Sequence, residues 1–150
     1  MLLERGFRPG IRNHVLVMST VLCAGPVPTK VAEQVHGVVP LVHPWCNITK
    51  ETFPVLSGIG KHPNVAAVIV IGLECEDLNH EELAAEIAKS GKPCEALSVR
   101  RSGGTLKTAA EAARIAEAMV RRASRAKREP FDIGERRNPW GPSLRQEATP

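Results

Sequence analysis

Val65-Ala-Ala-Val-Ile-Val-Ile71 is apolar at every position, and that run constrains the fold more than any other feature of the chain. A strand with one wet face alternates apolar and polar residues. One that is apolar throughout has to be covered on both sides, as in a parallel sheet with helices above and below. Gly72 ends the run, and Glu74, Cys75 and Glu76 follow. In open α/β sheets the crevice beyond the carboxyl ends of the strands is where ligands bind. Function is therefore sought first at the exit of this strand.

Three further strand signals surround it: His14–Val21, Val38–His43 and Glu95–Val99. Helical segments separate them. A short one runs from Lys30 to about His36, with Gly37 as its stop. A second, between strands two and three, must place Pro54 in its first turn or be broken by it. Asn79 and Glu82 have the spacing of a capping box opening Leu83–Lys89, and Ser90-Gly91 closes that helix. Leu106, Ala109, Ala113, Ala116, Val120 and Ala123 recur at steps of three and four, which predicts an amphipathic last helix from about Thr105. Strand and helix alternate four times. The expected fold is a three-layer α/β sandwich with a parallel, roughly four-stranded sheet of flavodoxin or Rossmann type. Residues 1–129 are expected to form one domain and 130–150 a poorly ordered polar extension.

Composition narrows the class. Residues 1–120 hold 12 Lys/Arg against 12 Asp/Glu, whereas 121–150 hold 8 against 4, so the net charge of +4 sits in the tail. Cations at a helix end are favoured by its dipole, and no aromatic platform interleaves them, which argues against nucleic acid as a partner. No apolar run is long enough to span a bilayer, and the amino terminus lacks the layout of a signal peptide. The expectation is a cytoplasmic protein with no membrane partner. Cys23, Cys46, Cys75 and Cys94 contain no C-x-x-C pair, which disfavours a structural zinc site or a disulfide framework.

Placed on the expected strands, the chemistry-bearing residues collect at the carboxyl ends. Cys23 follows the first strand, His43 and Cys46 the second, Glu74 to Glu76 the third, and Ser102-Gly103-Gly104-Thr105 the fourth. Cys94 stands at the other end of its strand and reads as a core residue. The glycine turn before the last helix presents backbone N–H groups where a helix dipole favours an anion, although it also serves as an ordinary strand-to-helix turn. Free cysteines are commonly buried packing residues, and His43 beside Trp45 reads equally as a base, a ligand or a backbone-bonded side chain.

Several segments, in order, resemble the altronate/galactarate dehydratase family: Gly10-Ile-Arg-Asn-His14, Thr20-Val-Leu-Cys23, Val39-Pro-Leu-Val-His43 with Cys46, His62-Pro-Asn64 running through to Cys75-Glu76, and Gly103-Gly-Thr105. The resemblance covers about residues 6–130 and corresponds to a middle domain. It implies a hydro-lyase that dehydrates a sugar acid to a 2-keto-3-deoxy acid with iron or manganese, and a related branch eliminates sulfite from sulfolactate. It further implies complementary domains or subunits as partners. Glu74 stands where the family usually has glycine.

Carried onto this chain, the resemblance gives Glu76 and His43 acid/base roles. Arg12, Asn13, Ser102, Gly103, Gly104 and Thr105 become substrate contacts, and Cys46, Cys75 and Cys23 metal-side residues. Thiolate and imidazole donors suit iron or zinc better than magnesium. Two other readings stay open: a non-catalytic paralogue that binds an anion or a partner domain, and a flavodoxin-like phosphate binder. Association of identical chains is also left open.

Overall fold

A computed structural model describes residues 10–46, 51–76 and 79–130. Four strands, β1 (His14–Ser19), β2 (Val38–Val42), β3 (Val65–Gly72) and β4 (Cys94–Ser98), form one parallel sheet in the order β2-β1-β3-β4. Each strand lies within two residues of its sequence expectation. In β3, Val68, Ile69, Val70 and Ile71 have no exposed surface, and burial of such side chains contributes about 1.5–3 kcal/mol apiece. β2 is an edge strand, and its central Pro40 has no N–H to offer a neighbouring chain.

Alternation along the central strands divides the core in two. Val15, Val17, Ala67, Ile69 and Ile71 face helices α1 (Pro26–Gln34) and α4 (Thr105–Ser124). Leu16, Met18, Val68 and Val70 face α2 (Thr52–Gly60) and α3 (His80–Ala88). The three layers are as expected, with adjustments in the helices. α1 begins at Pro26, earlier than Lys30, because Pro26 and Pro28 fall in the first turn, where a missing N–H costs nothing. A 3₁₀ turn, Leu22–Ala24, precedes it. Pro54 likewise sits in the first turn of α2. Asn79 caps α3 by accepting from the Glu81 N–H at 2.8 Å, one residue short of the bond a capping box would make, so the helix starts at His80. Leu106 is 75% exposed and does not join the buried face of α4. That face runs through Ala109, Ala112, Ala113, Ala116 and Met119, and at ~100° per residue Leu106 lies about 90° from its centre.

Two of the sequence segments meet at the amino edge of the sheet. Asn64 Oδ1 accepts from the N–H groups of Ile11 (2.8 Å) and Arg12 (3.3 Å). A Cβ on Gly10 would stand 2.2 Å from the Pro63 carbonyl oxygen, so only glycine allows that approach. Asn13 Nδ2 donates to the Ala123 carbonyl, tying the end of α4 to the start of β1. From residue 131 onward, the expected extension lies outside the described residues. Among the described residues no helix is long and apolar enough to cross a membrane.

Candidate functional site at the carboxyl edge of the sheet

The strand order puts a topological switch point between β1 and β3, whose outgoing connections lead to opposite sides. The crevice at such a point is the expected ligand position of a doubly wound sheet. Thr20 leaves β1 there, fully buried. Its hydroxyl lies 2.7 Å from Glu76 Oε1 and 3.2 Å from the Ile71 carbonyl. With one proton to give, it favours the shorter, charged acceptor.

Glu76 folds back over the end of β3. Its carboxylate accepts from the N–H groups of Leu73 (3.0 Å) and Cys75 (3.0 Å), and the side chain is 1% exposed. Burial alone would raise its pKa. The hydrogen bonds from Thr20 and from the backbone outweigh that effect and hold the carboxyl below its ordinary range. Glu76 is therefore placed as an ionised group that organises the loop. Neighbouring Glu74 has φ of 69°, a conformation that suits glycine. An ion pair of 2.6 Å with Arg101 Nε restrains it there.

Sequence reasoning missed His80, the first residue of α3 and 3% exposed. Arg101 Nη2 lies 3.1 Å from its Nε2. A guanidinium has no acceptor, so Nε2 carries the lone pair and the ring proton is on Nδ1, 4.0 Å from Glu76 Oε1. Gly72 makes the position possible, because a Cβ there would lie 2.3 Å from His80 Cγ and Nδ1. The only sequence signal was the glycine ending an otherwise bulky strand. A chain of polar groups thus runs from Thr20 through Glu76 and His80 to Arg101.

At the β2 exit, His43 is 7% exposed and its N–H donates to Ser19 Oγ. Its Nδ1 lies 3.1 Å from the Trp45 carbonyl and 3.4 Å from the Trp45 N–H. One tautomer cannot serve both. The shorter contact puts the proton on Nδ1 and leaves Nε2 with a lone pair. The Leu22 N–H donates to the Trp45 carbonyl at 3.2 Å, which joins the β1 and β2 exits. The neighbouring Cys23 thiol, then burial and Cys75, push the Cys46 pKa up. Cys23, Cys46 and Cys75 are all free and exposed.

Gly103 (φ 83°) and Gly104 (φ 109°) form the β4 exit with backbone angles that other residues rarely adopt. The Gly104 N–H returns to the Val99 carbonyl at 2.8 Å, and Ser102 Oγ donates to Glu111 Oε2. No side chain caps α4, so its first-turn N–H groups remain for water or an anion. Lys107 packs over Gly103.

The structure collects Cys23, His43, Cys46, Cys75, Glu76 and Ser102–Thr105 along one edge. Arg12 and Asn13 precede β1 and lie at the other, about 20 Å away by the rise of a six-residue strand. They are not brought together with the rest. Cys94 opens β4, where burial raises its thiol to about 11. As a ligand set, three thiols would suit a soft ion better than manganese. Among the described residues, however, no group of three or more His, Cys, Asp or Glu side chains is arranged to hold a metal. The residues as placed do not fit the implied divalent ion.

Residues 5–124 match the family described as D-galactarate dehydratase/altronate hydrolase, second domain. The chain is also similar to the (2R)-sulfolactate sulfo-lyase subunit beta of Chromohalobacter salexigens, at 36% identity over 133 residues. That alignment takes in 85% of this chain and 33% of the relative, so the chain spans about a third of the relative's length. No solved structure matches. The family match begins ahead of β1 and ends at the last residue of α4, taking in every element of the fold, and the chain belongs to the D-galactarate dehydratase/altronate hydrolase second-domain family.

Proposed function

We propose that this chain supplies the anion-binding edge of a lyase that eliminates a β substituent from a hydroxy acid, in concert with complementary domains or subunits. The favoured reaction is dehydration of a sugar acid of altronate or galactarate type to a 2-keto-3-deoxy acid. Sulfite elimination from sulfolactate, named for the sulfo-lyase relative, is the related alternative substrate chemistry. One observation carries the reading: Thr20 and Glu76 meet at the β1/β3 switch point, on the same edge of the sheet as an uncapped helix start.

Removing a proton from the carbon next to a carboxylate builds enediolate-like charge, which fixed N–H donors stabilise. The first-turn N–H groups of α4 from Thr105 are assigned to the substrate's acidic group, and Gly103 and Gly104 shape the turn that presents them, since their own N–H groups bond to the Arg100 and Val99 carbonyls. His43 is assigned as the base through Nε2. Glu76 positions Thr20 and the β3 exit, since its oxygens are already engaged. That engagement also favours a second reading, in which the domain binds an anion or a partner without performing chemistry.

The test follows 2-keto acid formation from altronate and galactarate, and sulfite release from sulfolactate. Each is measured for the chain alone and with its complementary polypeptides, alongside calorimetric binding of galactarate. Binding by the chain alone with turnover only in the complemented mixture supports the proposal. Binding without turnover in any mixture selects the second reading, and neither binding nor turnover refutes both.

A further inference from the structure

Arg101 lies in the turn that leaves β4, where its N–H donates to Ser98 Oγ, and its side chain reaches to the β3 exit and the start of α3. A guanidinium has five N–H donors in a planar fork that suits a carboxylate. Here the fork is divided among single acceptor atoms. Nε donates to Glu74 Oε1 at 2.6 Å and Nη2 to Glu81 Oε1 at 2.5 Å, with His80 Nε2 3.1 Å from the same Nη2. Among the described residues Nη1 has no partner, and the side chain is 57% exposed at the carboxyl edge of the sheet. Glu81 donates its oxygen from the regular first turn of α3. Glu74 is a poorer permanent partner, because its φ of 69° is a left-handed conformation that costs a residue other than glycine more than an exposed ion pair usually returns.

We propose that Arg101 is a receptor for a ligand carboxylate and that Glu74 is its built-in competitor, holding the guanidinium until a ligand displaces it. The inference deepens the lyase reading, on which it rests for the nature of the ligand, a polyhydroxy acid. Departure of Glu74 frees Nε for the ligand carboxylate, and the open Nη1 is left for a ligand hydroxyl. A polyhydroxy acid offers both. Glu81 and His80 meanwhile keep the guanidinium in place through Nη2. Charge sets the order of events. With Glu74 in place, two carboxylates face one guanidinium and repel an incoming anion, whereas once it leaves the remaining Arg101–Glu81 pair is neutral. The receptor is therefore open for only part of the time, and its apparent affinity falls by that fraction.

Malonate and galactarate titrated into the full chain test this, read by calorimetry and by the Arg101 Nε–H nuclear magnetic resonance, which Arg101→Lys identifies by its absence. Both acids should shift that resonance and bind the parent chain weakly. Glu74→Gly and Glu74→Gln should each tighten binding about tenfold, because the competitor is gone. Glu74→Gly should unfold no earlier than the parent, since glycine accepts the backbone angle. Arg101→Lys keeps the charge, loses the fork and should weaken binding at least tenfold; the Glu74 variants, which leave Arg101 in place, carry the test if that variant folds poorly. Equal affinity in the parent and both Glu74 variants, or galactarate binding that a folded Arg101→Lys leaves unchanged, would overturn the receptor and leave the lyase reading to its turnover assay. A Glu74-sensitive response to malonate with none to galactarate would support the receptor and count against the lyase reading.

Discussion

Replacing Gly72 by alanine adds one methyl group at the end of β3, where the surroundings leave it no volume. The new Cβ would stand 2.3 Å from His80 Cγ and Nδ1 and 2.7 Å from Glu76 Oε1. His80 cannot swing away freely, because it is 3% exposed and held by Arg101. Glycine-to-alanine changes at ordinary backbone angles stabilise by about 0.4–1 kcal/mol through the unfolded chain. Overpacking a filled site costs about 1–3 kcal/mol. The steric cost wins, and loosening of the Glu76 hydrogen bonds adds to it. A net loss of about 1–3 kcal/mol lowers the thermal midpoint by roughly 3–15 °C in a domain of this size. Calorimetry or urea unfolding reads the effect. The control is Gly58→Ala in α2, where a Cβ meets nothing within 4 Å, and a gain of about 0.5–1 kcal/mol is expected. The double variant Gly72→Ala/His80→Ala should recover much of the loss relative to His80→Ala alone. If Gly72→Ala proves as stable as the parent, or the double variant shows no coupling, the close packing of His80 on β3 is wrong.

Three other outcomes follow from the same contacts. Glu76→Gln removes the charge from an acceptor shared by Thr20, Leu73 and Cys75. It should cost about 1.5–3 kcal/mol, read as at least tenfold faster amide exchange at Leu73 and Cys75. Asn79→Ala deletes the α3 cap and should cost about 1 kcal/mol in urea unfolding. Glu86, bonded to Lys61 and Lys89, has its pKa lowered from 4.5 to about 2. Its contribution to stability is present above pH 4.5 and lost as pH falls from there through about 2. Acid titration of Glu86→Gln should therefore show a shallower loss across that window than the parent chain.

The sheet was legible because its signal is periodic and redundant. An all-apolar run such as Val65–Ile71 admits few placements, and four such units in alternation fix the layers. Collection of Cys23, Cys46, Cys75, His43 and the glycine turn on one edge followed from parallel strands alone. Helix starts were less legible. Pro26 and Pro28 look like breakers in sequence but are harmless in a first turn. The role expected of Arg12 came from a short matching segment and not from its place in the fold. A short matching segment gives no direction, and Asn64 holds Arg12 by its backbone at the amino edge. His80 was hidden because its burial depends on a contact with Gly72, eight positions earlier and across a loop.

The inner face of α4 is built from Ala109, Ala112, Ala113 and Ala116. Side chains that small let the helix axis ride close over the sheet, and the methyl groups act as a spacer gauge for everything attached to the helix. The Gly103-Gly104 turn and the first-turn N–H groups are attached to it rigidly, so their height above the strand ends is set one to three turns away. A larger residue on this face would lift the helix and carry the anion donors outward with it. Tuning of the site can thus come from positions that never touch a ligand, and in the enlarging direction alone, since alanine has almost nothing left to remove.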